Sequence, residues 1–192
     1  MTRVGIFGGT FDPPHNGHVA AVVQVRHALE LDRVLVVVAN DPWQKSSTSP
    51  AAARLRLAHA AFAQLDRVEV SDIEIRRGGA SYTIDTVDAL RDAGEHLVVV
   101  IGSDAAAGLA TWHRAAALAT LVEFAIVTRG GPARHDEGTL PLGFIGHVVP
   151  ISRLDVSSTE VRRRVVAGEP IDGLVPPAVV REIAEASLYT GE

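Results

Sequence analysis

An eleven-residue stretch near the N-terminus, residues 8–18, most constrains what this chain can fold into. It follows a short apolar run at residues 4–7 and precedes a helical pattern at residues 19–29. A strand, a glycine-rich turn and a helix together aim free backbone N–H groups and the positive end of the helix at one point, which suits phosphate. The stretch therefore predicts a nucleotide-binding turn.

Four residues in the stretch sharpen this prediction. A side chain at Gly8 or Gly9 would hold a phosphate away from the backbone, and turns of this kind often need the positive φ angles that glycine tolerates. His15 and His18 stand three residues apart at the predicted helix start, with Asn16 as the helix cap. Because such residues share a helix face, we expect both imidazoles to donate to one polyanion.

The stretch matches neither of the common phosphate-binding loops. A dinucleotide-binding fingerprint, Gly-x-Gly-x-x-Gly, fits badly, and the Gly-Lys-Ser/Thr of a Walker loop is absent. Either histidine alone could be a helix-capping residue beside a tight turn. The complete string after a first strand favours a functional site.

Apolar runs and helical patterns alternate along the chain. Continuous runs rich in β-branched residues predict strands covered on both faces, at residues 4–7, 34–39, 97–101 and 124–127. Helical patterns occupy residues 19–29, 51–65, 84–93 and 176–188. The alternation predicts an α/β fold, a doubly wound, Rossmann-like parallel sheet with helices on both faces. At 192 residues we expect a single domain, with a C-terminal helical part from about residue 157 packed on the core.

Composition limits the class of protein. The formal net charge of −5 argues against broad nucleic-acid binding, which normally shows a basic stripe. The absence of cysteine excludes disulfides, thiolate metal sites and a cysteine nucleophile, and it agrees with a reducing compartment. No apolar run approaches the about 20 residues of a membrane span. We expect a soluble, cytoplasmic protein without nucleic-acid or membrane partners; its oligomeric state stays open, a homo-oligomer being one alternative.

Several polar segments follow predicted strands, where ligands bind in open α/β sheets. They are residues 40–45, 102–104 and 129–131, the last opening a glycine-rich segment at 129–146 that predicts a loop. A closing segment, Ser157-Ser158-Thr159-x-x-Arg162, is a second helix start with hydroxyls and a planar cation that could hold a triphosphate. Taken alone, it would more often be a capped helix with solvated arginines, but in combination with residues 8–18 we interpret it as a phosphate-binding segment.

The chain resembles the His-x-Gly-His nucleotidyltransferases and, within them, the bacterial nicotinate mononucleotide adenylyltransferases. The resemblance runs from residue 4 to residue 189 and adds Ser81-Tyr82-Thr83-x-Asp85-Thr86, Ile101-Gly102-Ser103-Asp104, Leu109-x-x-Trp112 and Leu188-Tyr189 to the first motif. It implies adenylyl transfer from ATP to nicotinate mononucleotide in NAD biosynthesis, giving deamido-NAD and pyrophosphate. The alternatives are another phosphomonoester acceptor, such as nicotinamide mononucleotide or phosphopantetheine, or a non-catalytic nucleotide-binding module.

The resemblance also implies roles for individual residues. His15, His18, Lys45 and Arg162 would be catalytic, as donors and cations on the phosphates. ATP would be bound by Gly8, Gly9, Thr10, Phe11, His15, His18, Gly102, Asp104, Ser157, Ser158, Thr159 and Arg162. The acceptor would be bound by Asn40, Lys45, Ser81, Tyr82, Thr83 and Trp112. We expect no metal site built from protein ligands alone, because ATP phosphate oxygens and water should be the main ligands of Mg²⁺.

Some positions keep two interpretations. Asp12 could touch Mg²⁺ through water, or it could form the turn. Trp112 could stack on a pyridine ring or be an ordinary core aromatic, and Asp104 could bind ribose or cap the next helix. Arg54 is a further candidate phosphate ligand, although an exposed helix arginine is the better default. Many relatives have Pro-Pro-His-Lys where this chain has Pro42-Trp43-Gln44-Lys45, so the contact of that histidine is lost or replaced.

Overall fold

In the computed structural model the described residues, 1–42, 49–91, 94–129 and 140–190, contain one six-stranded sheet in which all neighbouring strands run parallel. The strands are β1 (Arg3–Gly9), β2 (Arg33–Val38), β3 (Val68–Ser71), β4 (His96–Gly102), β5 (Glu123–Arg129) and β6 (Gly146–Ile151). Their spatial order is β3-β2-β1-β4-β5-β6. The order reverses between β1 and β4, which is where an open α/β sheet forms its ligand crevice.

Helices connect and cover the strands. They are α1 (Asn16–Ala28), α2 (Ala51–Phe62), α3 (Ile73–Arg77), α4 (Thr83–Leu90), α5 (Ser103–Ala107), α6 (Ala115–Leu121), α7 (Ser158–Val166) and α8 (Pro177–Glu185), with a 3-10 turn at Leu109–Thr111. None of the helices in the described ranges has the length and apolar character needed to cross a membrane.

The sheet separates two hydrophobic cores because successive strand residues point to opposite faces. In β2, Val34 and Val36 join the core beneath α1, α2, α7 and α8, whereas Leu35 and Val37 join the core beneath α4, α5 and α6. Every one of these positions is apolar, since both faces are covered. The predicted doubly wound α/β fold is confirmed.

Two strands were missed by the sequence prediction. β3 has only four residues and includes Glu69, so it lacks a continuous apolar run. β6 follows the segment predicted as a loop and begins at that segment's last residue, Gly146. It lies at the sheet edge with mostly exposed residues, and an edge strand need not be apolar on both faces. Of the helix predicted at 84–93, α4 covers Thr83–Leu90, and residues 92–93 lie outside the described residues.

The C-terminal segment returns to the core. α8 packs on α2, with Val179 and Ile183 buried in the first core. Arg56 of α2 pairs with Glu182 of α8 at 2.7 Å on the surface of the same contact. This packing brings the last residues of the chain beside the turn after β1.

Candidate active site

A cavity of about 390 Å³ opens at the carboxyl ends of β1 and β4. Two groups of predicted site residues meet in its wall, one from the turn after β1 and one from the start of α4 and the 3-10 turn. The predicted residues that line it are Gly8, Gly9, Thr10, Phe11, His15, His18, Ser81, Tyr82, Thr83, Gly102 and Trp112. Eleven residues from distant parts of the chain therefore share one cleft.

The two glycines do not have the positive φ angles that we expected. Both lie within β1, and the left-handed residue of the turn is Phe11, with φ of 52°. Gly9 is instead required by packing, since a Cβ there would lie 2.7 Å from Cζ of the buried Phe11 ring. A Cβ at Gly8 would meet no protein atom within 4 Å. Gly8 therefore leaves open space on the cavity wall.

His15 and His18 form a stacked pair at the start of α1. Their ring centroids are 3.7 Å apart and the ring planes are inclined by 27°. The His15 backbone N–H donates to His18 Nδ1 at 3.1 Å, so the neutral His18 ring carries its proton on Nε2 and presents it as a donor. Gly17 gives the pair room, because a Cβ there would lie 3.0 Å from His15 Nδ1.

The prediction that Asn16 caps α1 was wrong. His15 is the cap residue, and α1 begins at Asn16. The Asn16 side chain donates to the Gly173 carbonyl at 2.8 Å, and the Asn16 backbone N–H donates to the Leu174 carbonyl at 2.9 Å. Asn16 thus ties the helix start to the C-terminal segment.

The predicted triphosphate segment lies beside the cavity rather than in its wall. Ser157 caps α7, its hydroxyl accepting from the Glu160 N–H at 3.2 Å. The Ser158 hydroxyl donates to the Pro13 carbonyl at 2.8 Å, and Arg162 Nη1 donates to the Asp12 carbonyl at 2.6 Å. The Thr159 hydroxyl accepts from Arg162 Nη2 at 3.5 Å. Hydrogen bonds therefore join the start of α7 to the turn after β1.

On the other side of the cavity, Ser81 joins two loops. Its hydroxyl accepts from the backbone N–H of Asn40 at 2.9 Å and of Asp41 at 3.3 Å. The Asn40 side chain donates to the Gly79 carbonyl at 2.9 Å, and Asn40 does not line the cavity. These bonds connect the end of β2 to the start of α4.

Aromatic rings form the wall beside Thr83. Tyr82 stacks on His113 with centroids 4.4 Å apart, and both line the cavity with Trp112. Tyr82 and Trp112 also pack against the second core, so Trp112 is a core aromatic that also lines the cavity, and its stacking on a pyridine ring stays a prediction. His113 was not among the predicted site residues, although it directly follows the Leu109-x-x-Trp112 motif.

Asp104 lies apart from these residues. Asp104 is exposed in the first turn of α5, where the cavity wall is formed by Gly102 and Ala105 instead. Lys45 falls at 43–48, outside the described residues, as do Trp43 and Gln44. Their assigned contacts stay predictions.

The interpretation of Arg54 as an exposed helix arginine was wrong, and Arg54 does not line the cavity. It is 1% exposed and donates to four carbonyl oxygens, those of Ser49, Ala39, Thr10 and Asn40, at 2.6 to 3.1 Å. Burial lowers the pKa of its guanidinium. It holds the ends of β1 and β2 to the start of α2. Its helical spacing with the buried residues Leu57, Ala58 and Ala61 is the signal that could have revealed this role.

Asp12 joins three distant segments. It is 5% exposed; Oδ1 accepts from the Tyr189 hydroxyl at 2.6 Å and Oδ2 from the Ser49 N–H at 3.0 Å. Burial raises the pKa of Asp12, but these hydrogen bonds and the charge of Arg162 outweigh burial, so the pKa lies below its ordinary value. Burial and Asp12 raise the pKa of Tyr189 far above its ordinary value. The pair is therefore a carboxylate accepting from a neutral phenol.

Known proteins match this chain along nearly its whole length. A family model described as cytidylyltransferase-like matches residues 6–164. A protein of Corynebacterium kroppenstedtii named probable nicotinate-nucleotide adenylyltransferase is 40% identical over 97% of this chain and 90% of its own length. One of the same name from Streptomyces coelicolor is 41% identical over 96% of this chain and 100% of its own. The chain belongs to the nicotinate-nucleotide adenylyltransferases.

A solved structure shares the fold of this adenylyltransferase. Plasmodium falciparum nicotinic acid mononucleotide adenylyltransferase, complexed with NaAD, superimposes with a TM-score of 0.82. The two chains are 18% identical, and the match covers 98% of each. The similarity confirms the Rossmann-like arrangement of the sheet and helices.

Acidic and imidazole side chains are the usual metal ligands in a protein without cysteine. Among the residues that the structure describes, no group of three or more such side chains could hold a metal ion. Both carboxylate oxygens of Asp12 already accept hydrogen bonds from protein donors.

Proposed function

We propose that the protein transfers the adenylyl group of ATP to nicotinate mononucleotide, giving deamido-NAD and pyrophosphate. The observation that carries this proposal is the stacked His15–His18 pair in the same cavity wall as Ser81, Thr83 and Trp112. One set of residues suits phosphates and the other suits a flat heteroaromatic ring. The relatives named nicotinate-nucleotide adenylyltransferase and the neighbour complexed with NaAD support the pairing of these two ligands.

The proposed reaction is a direct in-line displacement. An oxygen of the acceptor's phosphate forms a bond to the α-phosphorus of ATP, while the bond from that phosphorus to the bridging oxygen breaks and pyrophosphate leaves with its electron pair. The acceptor phosphate is largely a dianion at neutral pH, since its second pKa is about 6. No general base is needed, so the protein has to align two phosphates and stabilise the charge that develops.

The histidine pair is well placed for that task. His18 presents Nε2–H as a donor, because its Nδ1 already accepts from the His15 backbone. Phe7 and Phe11 pack beside the His18 ring at centroid distances of 6.2 and 5.4 Å, which restricts its orientation. A donor held before the substrate arrives costs little reorganisation when charge moves to the leaving pyrophosphate. We assign Arg162 and Lys45 as the accompanying cations on the triphosphate.

The acceptor would bind between Trp112 and the start of α4. The indole offers a face for the pyridine ring. Thr83 is the first residue of α4 and lines the cavity, so a nicotinate carboxylate there would meet a hydroxyl and the positive end of a helix. This arrangement favours the acid over the neutral amide.

We assign Mg²⁺ to the phosphates of ATP, where it would neutralise part of the charge on the triphosphate. The residues that would face this complex are the donors His15 and His18 and the cation Arg162. The expected result of removing Mg²⁺ with a chelator is loss of pyrophosphate release and its recovery on adding the metal back.

The expected cellular setting and partners rest on the composition of the chain. The absence of cysteine agrees with a reducing compartment, and we keep the cytoplasm as the expected location. The net charge of −5 keeps nucleic acid outside the expected partners. A homo-oligomer stays one alternative for the assembly in solution.

The test of this proposal is acceptor choice. Pyrophosphate release is measured with Mg-ATP and, in parallel, nicotinate mononucleotide, nicotinamide mononucleotide and phosphopantetheine. A strong preference for the nicotinate form supports the proposal. Equal use of both pyridine mononucleotides would contradict the assigned carboxylate contact, and preference for phosphopantetheine would contradict the acceptor site.

A further inference from the structure

The last residues of the chain reach the turn that carries the histidine pair. After α8 the chain reverses through Ser187 and Tyr189, whose φ angles are 47° and 62°. Left-handed φ is unfavourable for residues other than glycine and persists when the surroundings hold it. Leu188 and Tyr189 pack against the first core, and the Leu188 N–H donates to the Ile183 carbonyl at 3.0 Å. The Tyr189 side chain is therefore held in one place.

The Tyr189 hydroxyl ends on a carboxylate next to the phosphate-binding turn. Its bond to Asp12 Oδ1 is 2.6 Å long, a length typical of a charge-assisted hydrogen bond. Phe11 precedes Asp12 and His15 follows it by three residues, and both of these line the cavity, whereas Asp12 does not. The carboxylate is thus turned away from the cavity and towards the C-terminal tail.

The position of this negative charge matters for a polyanionic substrate. A carboxylate facing the cavity would repel the triphosphate of ATP. Two cations of the described residues act on Asp12: Arg162, which donates to the Asp12 carbonyl at 2.6 Å, and the buried Arg54. Without the Tyr189 hydroxyl, the Asp12 carboxylate would keep the Ser49 N–H as its partner and would be drawn to Arg162. That contact would neutralise a cation that we assign to the triphosphate.

We infer that Tyr189 is a positioning residue for ATP, which holds the Asp12 carboxylate on the C-terminal tail so that the phosphate-binding turn and Arg162 stay available to the triphosphate. This inference rests on the proposed function, because it takes ATP as the ligand of that turn. Tyr189 touches no substrate in this account; it acts through Asp12.

The test is the affinity for ATP, measured by calorimetry in the absence of any acceptor. Tyr189→Phe removes one oxygen, and we expect the Kd for ATP to rise roughly tenfold, the scale of one hydrogen bond to a charged group. In steady-state assays the KM for ATP should rise while the KM for nicotinate mononucleotide is unchanged. A variant that is merely less folded would leave both KM values unchanged and lower only the amount of active enzyme. An unchanged Kd for ATP would overturn the inference.

Thr190→Val is the matched control. Thr190 is the next residue of the same tail, and its hydroxyl donates to the Ser187 carbonyl at 3.1 Å without reaching the turn. Its Kd for ATP should equal that of the parent protein. A rise as large as that of Tyr189→Phe would mean that any disturbance of the tail weakens binding, which contradicts a specific role for the Tyr189–Asp12 bond.

A double-mutant cycle with Asp12→Asn separates the pair from its surroundings. If Tyr189 acts through the Asp12 charge, Tyr189→Phe should have no further effect on the Kd for ATP once Asp12 is Asn. A tenfold loss on top of Asp12→Asn would contradict the inference. If the single variant Tyr189→Phe does not fold, the Kd for ATP can still be compared between Asp12→Asn and the double variant, because the double variant contains no unpaired buried charge at residue 12.

Failure of this inference and failure of the proposed function give different results. ATP binding that is insensitive to Tyr189→Phe, in a protein that releases pyrophosphate with nicotinate mononucleotide, overturns only the inference. A parent protein that binds ATP but transfers nothing overturns the proposed function and leaves the ATP affinities as the test of Tyr189. A parent protein that does not bind ATP overturns both.

Discussion

The imidazole rings of His15 and His18 stack with their centroids 3.7 Å apart, and the His15 N–H donates to His18 Nδ1 at 3.1 Å. This relationship fixes which nitrogen of neutral His18 carries the proton, and it directs both rings into the wall of one cavity. It arises because His15 caps α1 and His18 lies one turn into the helix. The pair is therefore organised before any substrate binds.

The first prediction concerns His18. Replacing it with Ala removes a positioned donor from the proposed phosphate site, and loss of one such donor typically costs a factor of about 10² to 10³ in kcat. We expect that loss in pyrophosphate release with nicotinate mononucleotide, together with an unchanged circular dichroism spectrum. His27→Ala is the control, because His27 is exposed in the last turn of the same helix. Turnover of His18→Ala within threefold of the parent protein would contradict the assigned role.

The second prediction concerns the acceptor wall. Trp112→Ala should raise the KM for nicotinate mononucleotide about tenfold through loss of ring stacking, while the KM for ATP stays the same. Trp112→Phe keeps an aromatic face and should recover most of the affinity. Thermal melting monitors the contribution of Trp112 to the second core. A KM that rises equally for both substrates would contradict a specific acceptor contact.

The third prediction concerns Arg54, which stabilises the cleft without facing it. Arg54→Met leaves four carbonyl oxygens without their donor, and we expect the free energy of unfolding to fall by about 3 kcal/mol or more in urea denaturation. Arg56 lies two residues further along α2 and forms a surface ion pair with Glu182. Arg56→Ala removes this pair and should change the free energy of unfolding by less than about 1 kcal/mol. Similar losses for the two variants would contradict the role given to Arg54.

Much of the fold was predictable from the sequence because its signals are local. Parallel strands covered on both faces require continuous apolar runs, which is why β1, β2, β4 and β5 were found. The short strand β3 and the edge strand β6 lack such runs, and they form because an existing strand offers them hydrogen-bond partners. Their existence depends on tertiary structure more than on their own residues.

In the candidate site, too, residues with a local sequence signal were predictable and residues that depend on tertiary contacts were not. Motif residues such as His18 and Trp112 could be placed at one cleft, because the carboxyl ends of parallel strands meet at the same sheet edge. The role of Asp12 could not be predicted, since it depends on partners far away in the chain. Asp12 bonds to Ser49 and Tyr189, which are 37 and 177 residues distant. Sequence spacing carries no information about such contacts.

A fourth prediction concerns acid stability at the opposite edge of the sheet. Glu123 Oε2 lies 3.4 Å from His96 Nε2 and 3.3 Å from His147 Nε2, with Arg3 at 3.9 Å. Burial raises the pKa of Glu123, but the hydrogen bonds from both histidines outweigh burial, so the folded-state pKa lies below the ordinary 4.5. A lowered carboxylate pKa stabilises the fold above the unfolded-state value, and this stabilisation is lost as the pH falls through the folded-state value.

The check is a comparison of Glu123→Gln with the parent protein by urea denaturation between pH 7 and about pH 3.5. The parent protein should be the more stable of the two near neutral pH, and its advantage should shrink as the pH falls below about 4.5. A difference that stays constant, or grows, as the pH falls below about 4.5 would contradict the direction of the shift.

The most direct test of the central claim is the stoichiometry of one reaction. Purified protein is incubated with Mg-ATP and nicotinate mononucleotide, and pyrophosphate, deamido-NAD and ADP are quantified together. We predict one pyrophosphate for each deamido-NAD formed and no ADP, with His18→Ala slowing the formation of both products in parallel. ATP that binds without release of pyrophosphate, or pyrophosphate that appears without deamido-NAD, would contradict it.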